Sequence, residues 1–196
     1  MAGIRRKLPL FLLSISIIVT FLFVGVPARK TLDHKYIDDL KNPNDQVRLA
    51  AMGEIADWGD RIVPELLVAL DREEDVLFKM SALEIVGYIK NRSALNSLVQ
   101  HLHHGDWRVR FAAAAALGHL NTADAIPALK HTVSADENRE VRLGALLSLR
   151  KIETFDDVDF LSALHQQEKL RGDTAFLRGI EKIKKEVELR RQRTAR

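Results

Sequence analysis

The sequence predicts an all-α solenoid of about four helix pairs over residues 31–165. An apolar segment (1–30) precedes it, and a charged helix and tail (166–196) follow. Two observations predict this fold. A 31- to 32-residue repeat recurs with helical periodicity, and a second apolar stretch of helix length follows each of its first three copies.

The repeat is read from four aligned segments that open at Val47, Phe78, Val109 and Val141. A basic residue follows each opening residue: Arg48, Lys79, Arg110 and Arg142. Ala51, Ala82, Ala113 and Ala145 recur on one stripe, and Trp58, Ile89, Leu120 and Ile152 close it. Small residues on an apolar stripe allow a neighbouring helix to approach closely. The second helices are predicted near Ile62–Leu70, Ala94–Leu102 and Ala125–Val133, with Val158–Leu164 completing the fourth pair. Pro64 and Pro127 fall in first turns, where a missing amide costs nothing. Asp45, Asp75, Asp106 and Asp136 precede the first helices, placed to cap them. One pair cannot bury its apolar face alone, whereas four stacked pairs share a continuous core. Leu32–Lys41 reads as an end-capping helix, and Gln166–Arg193 as a longer charged helix with Phe176, Ile180, Ile183 and Val187 on one face.

Arg5, Arg6 and Lys7 precede 19 uncharged residues, Leu8 to Val26, on which Leu12, Ile17 and Phe21 lie. As a helix this run spans roughly 28 Å, close to the hydrocarbon thickness of a bilayer. A signal anchor would keep it as a single-pass helix in the inner or plasma membrane, with the basic end in the cytoplasm and the repeats outside. A signal peptide would instead be cut after Ala28, leaving a periplasmic or secreted domain.

Charge is unevenly distributed. Residues 31–177 carry 17 basic and 24 acidic side chains, and residues 178–196 carry eight basic and three acidic. A surface that grips nucleic acid would be basic along the body, so nucleic acid is not an expected partner. The basic tail suits contact with anionic lipid or an acidic partner. The chain has no cysteine, which excludes disulfides and thiolate metal sites.

The form VR-x-x-A-x-x-A-L-G-x-L, most complete at Val109–Leu120, resembles the HEAT-like repeats of the phycobilisome lyase type. The resemblance covers roughly residues 45–165 and implies a right-handed α-solenoid of HEAT-like pairs. It also implies that Arg48, Lys79, Arg110 and Arg142 are structural, pairing with acidic residues near the repeat starts. It does not select a function, because the class includes lyases, chaperone-like proteins and scaffolds. A related group of dinuclear-iron hydroxylases uses His-Glu pairs, and this sequence contains none. No cysteine is present to hold a bilin. The concave face that a glycosylase-type relative would use for DNA offers Lys130 as its one firm charge.

No residue set predicts a catalytic site, a metal or a cofactor. His101, His103 and His104 form the densest candidate group, but without an acidic companion at ligand spacing they read as a solvated loop or helix end. The leading expectation is a non-catalytic scaffold that binds another protein. Its expected contacts are Leu67, Val68, Val99, Gln100, Lys130 and His131 on the second helices, with Trp107 as a further exposed contact. The alternatives are an enzyme or enzyme accessory subunit, and a structural membrane-surface protein.

Overall fold

The computed structural model describes residues 31–194. The anticipated membrane segment, with Leu8, Leu12, Ile17, Phe21 and Val26, lies outside the described residues, as does Ala28. Among the described residues no helix is long and apolar enough to cross a membrane.

Among the described residues ten α-helices follow one another. An end helix α1 (His34–Leu40) precedes four pairs. These are α2 (Asp45–Ala56) with α3 (Val63–Arg72), α4 (Val76–Ile89) with α5 (Leu95–His101), α6 (Trp107–Leu120) with α7 (Ile126–Ala135), and α8 (Arg139–Lys151) with α9 (Val158–Arg171). The last helix is α10 (Thr174–Thr194). First helices stack on first helices, α2 on α4, α4 on α6 and α6 on α8. Each of α3, α5 and α7 packs on the first helix of the next pair, and α10 packs on α9. This is the helical-repeat arrangement that the period predicts.

The stacking follows from the alanine stripe. Ala51, Ala82, Ala113 and Ala145 are all buried in one hydrophobic cluster that runs from Leu40 to Val187. Each fully buried Leu, Ile, Val or Phe in it contributes about 1.5–3 kcal/mol. Two glycines set the closest approaches. A Cβ on Gly87 of α4 would lie 2.6 Å from the Ala116 Cα of α6, and one on Gly118 of α6 would lie 2.8 Å from the Ser148 Cα of α8. Backbone meets backbone there, so no side chain can be accommodated without moving a helix.

Short 3-10 turns, Gly59–Ile62, Arg92–Ala94 and Ala123–Ala125, lead into α3, α5 and α7. Pro64 and Pro127 sit in the first turns of α3 and α7, as anticipated. Asp75 and Asp106 cap α4 and α6 through the amides of Phe78 and Arg108. The other two caps differ from expectation. Asn44 and Asn138 cap α2 and α8, whereas Asp45 is the first residue of α2 and Asp136 closes α7. Asparagine offers the same acceptor geometry without charge, so the nearby aspartates are released for other bonds. The charged helix also divides differently. α9 continues to Arg171, and Gly172 turns the chain at φ +77° before α10 begins.

Candidate functional site

The four basic residues that follow the repeat openings share one geometry. Each turns back toward carbonyl oxygens that precede its own helix. Arg48 donates to Asn42 O at 2.7 Å, Lys79 to Leu70 O at 2.9 Å, Arg110 to His104 O and Gly105 O at 3.0 and 3.1 Å, and Arg142 to Asp136 O and Glu137 O at 3.1 and 3.2 Å. These are helix-end and loop carbonyls that lack intrahelical partners, so the cation replaces water. Arg110 adds a two-pronged bond to Asp136, at 2.8 and 3.0 Å, across the joint to the next repeat. Asp136 in turn holds the guanidinium's pKa above its ordinary value. Arg48 bonds Asp45. The acid facing Arg142 is not at a repeat start: it is Glu168, fully buried in α9, with Arg142 Nε 3.4 Å from Glu168 Oε1. These side chains tie loops to helices, which leaves them little capacity to bind a ligand.

The second-helix positions divide into two groups. Leu67 and Val99 pack against the core, and Lys130 donates to Asp157 Oδ2 at 2.6 Å while lying 4.6 Å from the Phe160 ring centroid. Three of the six second-helix positions are therefore engaged within the array. Val68, Gln100 and His131 are exposed.

Exposed apolar surface gathers instead on the first helices. Leu49, Tyr88, Trp107, Phe111 and Leu147 leave 37 to 70% of their surface open, and all five belong to α2, α4, α6 or α8. Leu49 and Phe111 occupy the third position of their segments, where Met80 and Leu143 are half-buried. Trp107 lies four residues before Phe111, and Leu147 four residues after Leu143. Spacings of four keep them on one helix face. Phe111 also roofs Gly144 of α8, since a Cβ there would lie 2.8 Å from its ring. Of this row the sequence reading found Trp107 alone. The available signal was an apolar third position in every repeat, on the face opposite the alanine stripe.

The histidine group lies at the end of α5 and in the turn after it, with His103 exposed. His101 is buried with Nδ1 2.8 Å from Ser97 O, and the parallel His104 ring lies 6.5 Å away. His104 Nδ1 accepts the Asp106 amide at 3.1 Å, so the proton of the neutral ring sits on Nε2. A shallow cleft of about 450 Å³ opens beside them, lined by His103, His131, Arg110 and Glu137 among others. Among the described residues no group of three His, Asp or Glu is placed to hold a metal ion. The Arg108 guanidinium, and then the Arg108 amide, hold the Asp106 carboxyl well below the usual carboxylate range, at about 2. That shift belongs to a helix cap, and nothing in the cleft forms a nucleophile–base pair.

A family model described as HEAT repeats matches residues 63–150 and 96–172, together over half of the chain. The uncharacterized phycocyanin operon protein Z of Pseudanabaena tenuis (strain PCC 7409) is 34% identical over 85 residues, 43% of this chain. The match spans 42% of that relative's length.

Proposed function

Because the chain belongs to the HEAT-repeat family, we propose that it is a non-catalytic scaffold, a right-handed solenoid that binds another protein. In this reading residues 8–26 hold the scaffold in the inner or plasma membrane, with the repeats outside the cytoplasm. The 19 uncharged residues behind Arg5, Arg6 and Lys7 support the tether. One observation carries the binding role: five large apolar side chains stand open on one helix layer, whereas Arg110 and Asp136 of the cleft are bonded to one another within the fold. Exposed apolar residues gathered on one face mark a contact surface. The partner seats on the first-helix row, with Trp107 and Leu147 as its anchors. Val68, Gln100 and His131 form the comparison surface on the second helices.

Crosslinking in native membranes, followed by partner identification, tests this. Substituting Trp107→Asp and Leu147→Lys together should lower capture by more than about tenfold, as loss of an aromatic hot spot does. Alanine at Val68, Gln100 and His131 should leave capture unchanged. Undiminished capture by the Trp107 and Leu147 variant would defeat the assignment. Fractionation with N-terminal sequencing tests the tether: an intact Met1 in the membrane pellet supports the anchor, and an end at Arg29 replaces it with cleavage.

A further inference from the structure

The two ends of the repeat unit carry opposite charge. Residues 31–75 hold 12 acidic and five basic side chains, net −7. Residues 76–177 hold 12 of each. Residues 178–196 hold eight basic and three acidic, net +5. Internal pairing takes up charge at both ends. Three of the five cations at the first end are engaged, Lys35 with Asp39, Lys41 with Glu73 and Arg48 with Asp45. Asp38, Asp71 and Glu74 are exposed there. On α10, Glu181 pairs with His165 and Glu186 with Arg150, while Arg191 pairs with Asp156 and Arg190 donates to Glu153 O.

Each end also offers apolar surface. Between α1 and α3 lies a groove of about 480 Å³ lined by Leu32, Ile37, Val68 and Ala69, with His34, Arg72, Glu65 and Glu73 at its edge. Glu65 accepts the Leu32 amide and Glu73 pairs with Lys41. On α10 the buried face is Phe176, Ile180, Ile183 and Val187. The exposed stripe is Arg178, Lys182, Lys185, Leu189 and Arg193, at spacings of four, three, four and four. A leucine among four cations, with no acid on the stripe, complements an apolar groove at the acid-rich end of the stack, where Asp38, Asp71 and Glu74 are exposed.

We infer that α10 of one copy of this chain docks through Leu189 and its flanking cations into the α1–α3 groove of a second copy. The groove and the stripe lie at opposite ends of the helix stack, so the contact is head-to-tail and repeats along a row of copies. The charges set its register and speed its formation, and burial of Leu189 against Val68 holds it. A second copy is the favoured occupant because socket and plug, matched in charge and in apolar content, are both present on this one chain.

The chain has no cysteine, so introduced thiols report the contact without background. Two full-length chains with different tags, Val68→Cys in one and Leu189→Cys in the other, are mixed and oxidised. A covalent dimer carrying both tags is expected at about tenfold or more over a Leu147→Cys and Leu189→Cys mixture. Adding Lys182→Glu and Lys185→Glu to the Leu189→Cys chain should return the yield to that control level. So should about 1 M salt, where screening acts over roughly 3 Å. Yield at the control level in the unmodified pair, or yield indifferent to the charge reversal, overturns the inference. Vesicles of phosphatidylcholine with phosphatidylserine, against phosphatidylcholine alone, form the second arm. Control-level crosslinking together with vesicle binding lost in the Lys182→Glu, Lys185→Glu chain would make the stripe a lipid surface and overturn the contact between copies.

Discussion

The first and third repeats begin with nearly the same motif, VRLAA at Val47 and VRFAA at Val109, yet they are held very differently. In the third repeat Arg110 is nearly buried and closes a two-pronged bond to an equally buried Asp136. In the first, Arg48 pairs with an Asp45 whose side chain is 76% exposed. Gly118 of α6 presses on the Ser148 backbone, whereas Gly53 of α2 has nothing within 4 Å of its would-be Cβ. Val109 is fully buried and Val47 is half-buried. The motif supplies the contact-making side chains, and the neighbouring helices supply their energy. α6 lies between α4 and α8, while α2 has a full first helix on one side and the seven-residue α1 on the other.

Several substitutions test how far that contrast goes. The largest effect is expected for Arg110→Met, which leaves the buried Asp136 carboxylate without its cation and the His104 and Gly105 carbonyls without their donor. It should lower unfolding stability by about 3–5 kcal/mol in urea titrations, whereas Arg48→Met should change it by less than about 1 kcal/mol. Equal losses would mean that neighbours do not set the weight of the motif. Next is Gly87→Ala, which drives a methyl group into the Ala116 backbone and should lose about 1–3 kcal/mol. The thermal midpoint should fall by roughly 2–4 °C for each kcal/mol.

Helix caps give a smaller effect that depends on pH. Asp106→Ala removes the α6 cap and should cost about 1 kcal/mol at neutral pH. The Asp106 carboxyl is held at about 2 by the Arg108 side chain and amide. Asp157 is likewise lowered, by Lys130 and then the Phe160 amide, and Asp173 by Arg139 and then the Phe176 amide. A carboxyl depressed in the fold stabilises above its unfolded value of about 4 and loses that contribution as pH falls toward the folded value. Stability should therefore decline from about pH 4 toward pH 2, and Asp106→Asn should flatten part of that decline while keeping the cap. An identical acid profile in the Asn variant would remove Asp106 from the account. The first repeat, capped by Asn44, contributes no such slope at its own cap. The smallest change has the opposite sign. Gly53→Ala, in open space on α2, should gain about 0.5–1 kcal/mol by helix propensity. A loss there would show that the first repeat is packed as tightly as the third.

The stack itself was legible because its signal repeats. The alanines recur at a fixed interval, and a stripe of small residues among larger apolar ones has few other uses in a helix. Features set by a single tertiary contact were not legible. Glu168 sits in the polar run Gln166–Lys169 and looks exposed; it is buried because Arg142 and Arg171 reach it from α8 and from its own helix. His101 ends a short helix and is covered by the repeat joint. The caps at Asn44 and Asn138 were missed because aspartates one residue after or two before them satisfy the same rule. The first-helix row did not stand out for a related reason: an apolar residue at helical spacing signals core, yet Leu49 and Phe111 are exposed.

Native-state hydrogen exchange on the full chain reads the opening energy of each helix separately. Amides of α4, α6 and α8 should share one slow, global opening, and α1 and α2 should exchange through a faster local opening. Protection of α2 equal to that of α6, or separate openings of α6 and α8, would contradict this pattern.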